Sequence, residues 1–231
     1  MEDNRKIYQC MHYTMSAFGG FLGAYAVLNR SDFLGNAQTS NLIHLTLDIL
    51  GRDTRQILLR LIAMGLYLCG TMFTVLIPMY TKWNIKFVSV LVDFLAVCIL
   101  AVLPEHMNSV IALYPVFFAM AFQWNVFADI CGYVSSTIFS TNNTRQMTIS
   151  FTKYLFGGTS EDAKRGRFYA GVLLFYHVGV ALSYFAWKEI GLKGVYIGVL
   201  PLMAEMVFIG YESGWIRQRK HFIARHRKEI N

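Results

Sequence analysis

Two polar runs interrupt an otherwise apolar chain: Thr39-Ser40-Asn41 and, about a hundred residues on, Asn142-Asn143-Thr144-Arg145-Gln146. Each leads into roughly fifteen amphipathic residues, too few to cross a bilayer as a helix. The start of a helix offers unpaired N–H groups and about half a positive charge, so two starts aimed at one point attract an anion or a polar oxygen. Thr39, Ser40, Asn41, Asn143 and Thr144 supply donors, and Arg145 adds a full charge on a planar fork suited to carboxylate. Gln123 and Asn125, polar within MAFQWN, are predicted to reach the same cavity. The alternative is that these side chains cap two short helices while Arg145 snorkels to a lipid headgroup.

Ionisable residues within apolar spans are the second set. Asp93 sits in VSVLVDFLAVC, His177 in LLFYHVGV and Glu205 in PLMAEMVF. Such groups are expensive in hydrocarbon and read as functional by default. Either carboxyl could take up a proton during coupling, because burial disfavours the charged form, and His177 could relay one. A hydrogen bond between helices is the structural alternative. His44 and Asp48, one helical turn apart, are expected on the polar face of the first short helix.

The elements that must hold these groups follow from composition. Of 231 residues, 55% are apolar and 15% charged, with a mean hydropathy of +0.40. An ordinary soluble domain carries roughly 25% charged residues, so a membrane protein is expected. Five of the seven units of net positive charge lie in the last fifteen residues, which points to a juxtamembrane anchor and away from nucleic acid. Six stretches suit membrane-spanning helices: 10–28, 56–80, 85–103, 108–131, 168–187 and 195–211. Connections at 81–86, 104–109, 157–167 and 188–194 carry turn and charge signals. The four cysteines have no short paired spacing, so neither a zinc site nor a disulfide frame is expected. No GxSxG, HExxH, Walker or dinucleotide motif is present, so neither an enzyme nor a cofactor is expected.

The order long span, polar break, short helix, basic loop, long span, long span occurs twice. Laying 36–50 over 141–155 matches Thr39 with Thr144 and Leu50 with Leu155, and Gly70 meets Gly179 after a four-residue insertion. The expected fold is therefore all-α and integral to the membrane, with six full transmembrane helices plus two half-helices in two internal repeats. The expected divisions are a cytoplasmic N-terminus (1–9), repeat 1 (10–103), repeat 2 (104–213) and a basic cytoplasmic tail (214–231). Crossing breaks would give eight passes in parallel repeats, and returning breaks six passes in inverted repeats. Both versions place both termini in the cytoplasm.

GGFLGAYAVLNRSDFLGNAQTSNLIHL, then MAFQWN and a second Thr-led short helix, resembles the YoaK family of bacterial multi-pass membrane proteins over roughly residues 15–212. That family carries Gly-x-x-Asp-Ala, Thr-Gly-Asn, Gly-Leu-Gln-Asn and a second Thr-Gly. Here Gly20 to Ala24 holds the first motif with Gly23 in place of Asp, and Thr39-Ser40-Asn41 the second with Ser in place of Gly. Gln123 keeps the third, and Thr144 is followed by Arg145. If the family's Asp is the coupling residue, Asp93, Asp129 or Glu205 takes that part here. The resemblance implies membrane location and a bacterial source without a substrate.

These readings lead to an inner-membrane secondary transporter of a small anionic or polar metabolite, held at two half-helix starts near the midplane and coupled to protons. Expected partners are the lipid bilayer, the solute and a second copy of the chain. The alternatives are a channel using the breaks as its filter, and a membrane-embedded enzyme or scaffold without transport.

Overall fold

The computed structural model describes residues 2–30, 38–130 and 132–214. Most of the first polar run before Gln38, Cys131 and the basic tail lie outside the described residues. The described residues are mostly helical, with one small hairpin and short connecting segments. The elements are α1 (Glu2–Asn29), α2 (Gln38–Leu50), α3 (Thr54–Tyr80), α4 (Ile85–Val102), α5 (Ser109–Ala112), α6 (Tyr114–Val126), α7 (Thr141–Leu155), α8 (Ser160–Ile190) and α9 (Val199–Glu212). A 3-10 helix, Gly191–Gly198, joins α8 to α9. The strands β1 (Asp129–Ile130) and β2 (Tyr133–Val134) pair antiparallel between α6 and α7.

Local chemistry fixes several boundaries. Asp53 caps α3 by accepting from the Gln56 amide, and Asn84 and Asn108 cap α4 and α5 in the same way. Thr159 and Asp162 form a capping box that starts α8 at Ser160, so the basic stretch expected as loop up to 167 is the first two turns of that helix. The fourth apolar stretch, expected to run to 131, stops at Val126. The chain there turns into the hairpin, with Gly132 at a φ of +82°.

Three helical runs, Thr54–Tyr80, Ile85–Val102 and Ser160–Glu212, are long and apolar enough to cross a membrane. Of the remaining helices, α6 has only 13 residues and α1 carries more polar side chains, and protein surrounds both. Met15, Phe18 and Leu22 of α1 are buried, as are Val116, Phe117 and Met120 of α6. Outer helices instead expose Leu68, Val75, Leu91, Leu95, Leu174 and Phe185, as a lipid-facing surface requires.

Packing partners are exchanged between the two halves of the chain. α1 lies along α8, and α6 lies along α3. α2 rests on α3 as α7 rests on α8, α9 packs on α1 as α4 packs on α6, and α4 meets α9. Glycines set the close approaches. A Cβ on Gly179 would stand 1.8 Å from the Ala17 carbonyl oxygen, one on Gly20 2.0 Å from that of Tyr176, and one on Gly70 2.5 Å from that of Phe118.

Contacts also sort the element ends into two groups. In the first group, Arg5 at the start of α1 donates to Tyr133 of the hairpin (2.8 Å) and pairs with Glu161 at the start of α8. Lys86, at the start of α4, pairs with Glu212, at the end of α9, and its ammonium lies 4.4 Å from the centre of the Tyr8 ring. In the second group, Arg30 just after α1 donates to the carbonyls of Pro104 and Glu105 after α4, and Tyr114 at the start of α6 donates to Leu59 near the start of α3 (3.0 Å). The segment 127–159 therefore leaves from and returns to the first group, and 30–53 does the same at the second.

Candidate functional site

The second break is extended chain buried in protein, which is the condition under which unwound backbone survives at membrane depth. Ser135, Ser136, Thr137 and Ile138 are all buried. Gly19 makes room for this segment, since a Cβ there would be 2.2 Å from the Thr137 carbonyl oxygen. Asn143 accepts from the Ser135 hydroxyl (2.9 Å) and the Ser136 amide (3.2 Å), and donates to the carbonyls of Ser136 (2.7 Å) and Phe139 (3.0 Å). Gln123 donates to Thr137 Oγ1 (2.8 Å) and to the Met15 carbonyl (3.1 Å), tying α6 to both the break and α1. His12 Nε2 lies 2.9 Å from Ser135 Oγ. Asn143 and Gln123, predicted to touch solute, thus hold the scaffold.

At the first break, Asn41 is buried and donates to the Arg60 carbonyl (3.3 Å) and to Gln38 (3.2 Å). Arg60 is buried too and pairs with Asp48, so α2 is locked onto α3 by an ion pair and an amide. Asp48 serves α2 docking. Ser40 is half-buried and Thr39 exposed.

The remaining predicted binding residues point outward. Thr144 and Arg145 are exposed on α7. Asn125, also exposed, donates to Thr71 Oγ1 (3.3 Å) and Ala121 O (2.8 Å), linking α6 to α3. The expectation of one hollow shared by two helix starts is not met among the described residues. α2 packs on α3 and α7 on α8, and neither packs on the other. The physical reason is that the second break finds its polar partners locally, through Asn143, while Asn41 spends its amide on tying the start of α2 to α3. Two cavities, of about 210 and 320 Å³, are lined by apolar side chains such as Phe94 and Met203 in one and Leu95 and Phe118 in the other.

Asp93 and Glu205 do come together. Both are fully buried where α4 meets α9, within electrostatic reach of each other. All four of their carboxyl oxygens lack a hydrogen-bond partner, as does the buried Ser89 hydroxyl one turn before Asp93. Lys86, Ser89 and Asp93 share one face of α4, and Glu205 and Glu212 share one face of α9. The Lys86–Glu212 pair stands above the two buried carboxyls at the first group of ends, and both its charges act on Glu205. An uncompensated buried carboxylate costs several kcal/mol, so two side by side are held neutral or share a positive guest. His177 is not part of this arrangement. It is exposed on α8, with Nδ1 2.7 Å from the Leu173 carbonyl oxygen, because its position falls on the outer face of that helix.

Several of these residues escaped sequence reading. The spacing of Lys86, Ser89 and Asp93 at i, i+3 and i+7, matched by Glu205 and Glu212 at i and i+7, was the available signal for a polar seam. Arg30 had no such signal, being adjacent to a polar run and so indistinguishable from a loop cation. At the first group of ends, Tyr133 donates to Glu161, and that hydrogen bond, with Arg5 beside it, holds the Glu161 carboxyl below the usual carboxylate range. No group of three or more metal-ligating side chains occurs among the described residues.

Comparison with known proteins gives one positive result. Residues 11–208 match the family model described as a protein of unknown function, DUF1275. No curated protein and no solved structure matches the chain.

Proposed function

The chain belongs to the DUF1275 family, and we propose that it is a proton-coupled secondary transporter of a small anionic or polar metabolite in the bacterial inner membrane. The observation that carries this reading is the Asp93–Glu205 pair, buried and without hydrogen-bond partners where the two halves of the chain meet. A carboxyl pair in that position can gain and lose a proton as the surrounding helices move, which is what coupling requires.

The exchanged packing supports inverted repeats with six passes and two re-entrant breaks, since 30–53 and 127–159 each return to the end they left. The moving bodies are then not the repeats as they run in sequence. One is α1 with α7 and α8, the other is α3 with α2 and α6, and α4 and α9 form the seam between them. The first group of ends carries Arg5, Lys82, Lys86, Lys164, Arg165 and Arg167 against Arg30, Arg52, Arg55, Arg60, Lys188 and Lys193 at the second, and the balance is tipped by the basic sequence that follows α9. That bias supports a cytoplasmic location for this end and for both termini.

The test is uptake of radiolabelled organic acids and polyols by proteoliposomes under an imposed pH gradient, with intravesicular pH followed in parallel. Saturable uptake that acidifies the lumen, lost in Asp93→Asn and Glu205→Gln, is the expected result. Uptake untouched by both substitutions refutes proton coupling through this pair, and unitary currents at fixed voltage identify a channel instead.

A further inference from the structure

The sequence directs attention to Arg145 as the cation of the breaks, yet the buried cation left without a carboxylate among the described residues is Arg30. It follows α1 directly, at the mouth of the first break, and is 1% exposed. Its Nη1 donates to the carbonyl oxygens of Pro104 (3.2 Å) and Glu105 (3.1 Å). Among the described residues its Nε and Nη2 have no acceptor and no carboxylate pairs with it. Tyr25, also 1% exposed, sets its hydroxyl oxygen beside the Arg30 guanidinium, near enough to be influenced by it as a hydrogen-bond partner, and leaves its own O–H without an acceptor.

The two vacant donors are not an arbitrary pair. Nε–H and the Nη2–H beside it form the side-on edge of the guanidinium, along which a carboxylate accepts two parallel hydrogen bonds. The opposite edge is already turned to the backbone after α4. Arginine does not relieve its burial by losing a proton, and two carbonyl contacts answer only part of the cost of a buried charge. A third donor, the Tyr25 hydroxyl, is available to one oxygen of the same guest.

We propose that Arg30 and Tyr25 bind the carboxylate group of a small organic acid, with the Nε/Nη2 edge as a bidentate clamp. This rests on the transporter reading for its biological meaning, since it names the solute class, but the binding itself is testable without flux. The clamp then lies toward the second group of helix ends, while Asp93 and Glu205 sit midway along α4 and α9.

The experiment is thermal unfolding of the purified full chain in phospholipid-free detergent at constant ionic strength, titrated with acetate, succinate, citrate and glutamate, with inorganic phosphate in parallel. The expected result is saturable stabilisation by at least one of these carboxylates, weakened tenfold or more in Arg30→Lys, which keeps the charge and loses the fork, and several-fold in Tyr25→Phe. No response to any carboxylate, a response to phosphate alone, or equal binding in Arg30→Lys each overturns the clamp. Arg30-dependent binding with no uptake in proteoliposomes leaves the clamp standing and overturns the transporter reading.

Discussion

Gly179 is the position where the packing argument is most exposed to measurement. Replacing it with Ala puts a methyl group 1.8 Å from the Ala17 carbonyl oxygen and 2.9 Å from the Phe21 amide nitrogen. Both atoms belong to backbone, so no side-chain rotation relieves the contact. Restoring an ordinary separation of 3.4 Å moves α1 and α8 apart by about 1.6 Å along their longest shared interface. Overpacking of this kind costs about 3 kcal/mol or more when the neighbour cannot yield. For a chain of this size that lowers the midpoint by about 6–12 °C, taking 2–4 °C per kcal/mol. The assay is thermal unfolding in detergent, with two internal controls. Gly65→Ala, where nothing lies within 4 Å, should raise stability by about 0.5–1 kcal/mol through helix propensity alone. Gly171→Ala meets only the Tyr13 ring, whose tip can swing, and should fall between the two. Gly179→Ala unfolding at the wild-type midpoint would refute the α1–α8 crossing.

Other consequences are equally direct. Asp48→Ala leaves Arg60 buried without its carboxylate and should cost about 3 kcal/mol, with α2 becoming accessible to cysteine labelling at Leu45 ahead of global unfolding. Lys86→Met and Glu212→Gln should each destabilise, and the double variant should recover part of the loss. A coupling of about 1 kcal/mol in that cycle is expected, and none would mean the two charges do not meet. The Asp162 carboxyl is held below its ordinary range by the Thr159 amide and hydroxyl, so its stabilisation of the α8 start is present above the unfolded carboxyl value and is lost as pH falls through the lower folded one. Protection factors at 160–163, relative to intrinsic exchange at each pH, should fall in acid, and Asp162→Asn should show low protection at every pH. His177→Ala should leave proton-coupled uptake unchanged, because that ring faces outward.

The positions of the long helices were legible because hydropathy over twenty residues reports burial in lipid directly. Ile85–Val102 falls within one residue of its expected bounds. What hydropathy could not show is which helices are sheathed by protein. α1 keeps His12 and α6 keeps Gln123, polar groups tolerated because the neighbouring break answers them, while Ser16 donates to the His12 carbonyl within α1 itself. The breaks were legible as breaks, but their orientation depends on contacts far apart in sequence, such as Gln123 with Met15 and Asn41 with Arg60. Arg145 and Arg30 make the same point in reverse. Both are arginines beside polar runs, and only the fold decides that one is exposed and the other sealed.

The partnership of α1 with α8 has a consequence for how the protein is made. The glycine face of α1 leaves the ribosome first, yet the helix it must embrace begins at Ser160. At about 5–20 residues per second, the nascent chain waits on the order of ten to thirty seconds for that embrace. During this interval His12 and Ser16 lack the cover that assembly will give them. The newborn first segment therefore needs custody, either from the insertion machinery or by lingering at the translocation site until the late helix arrives.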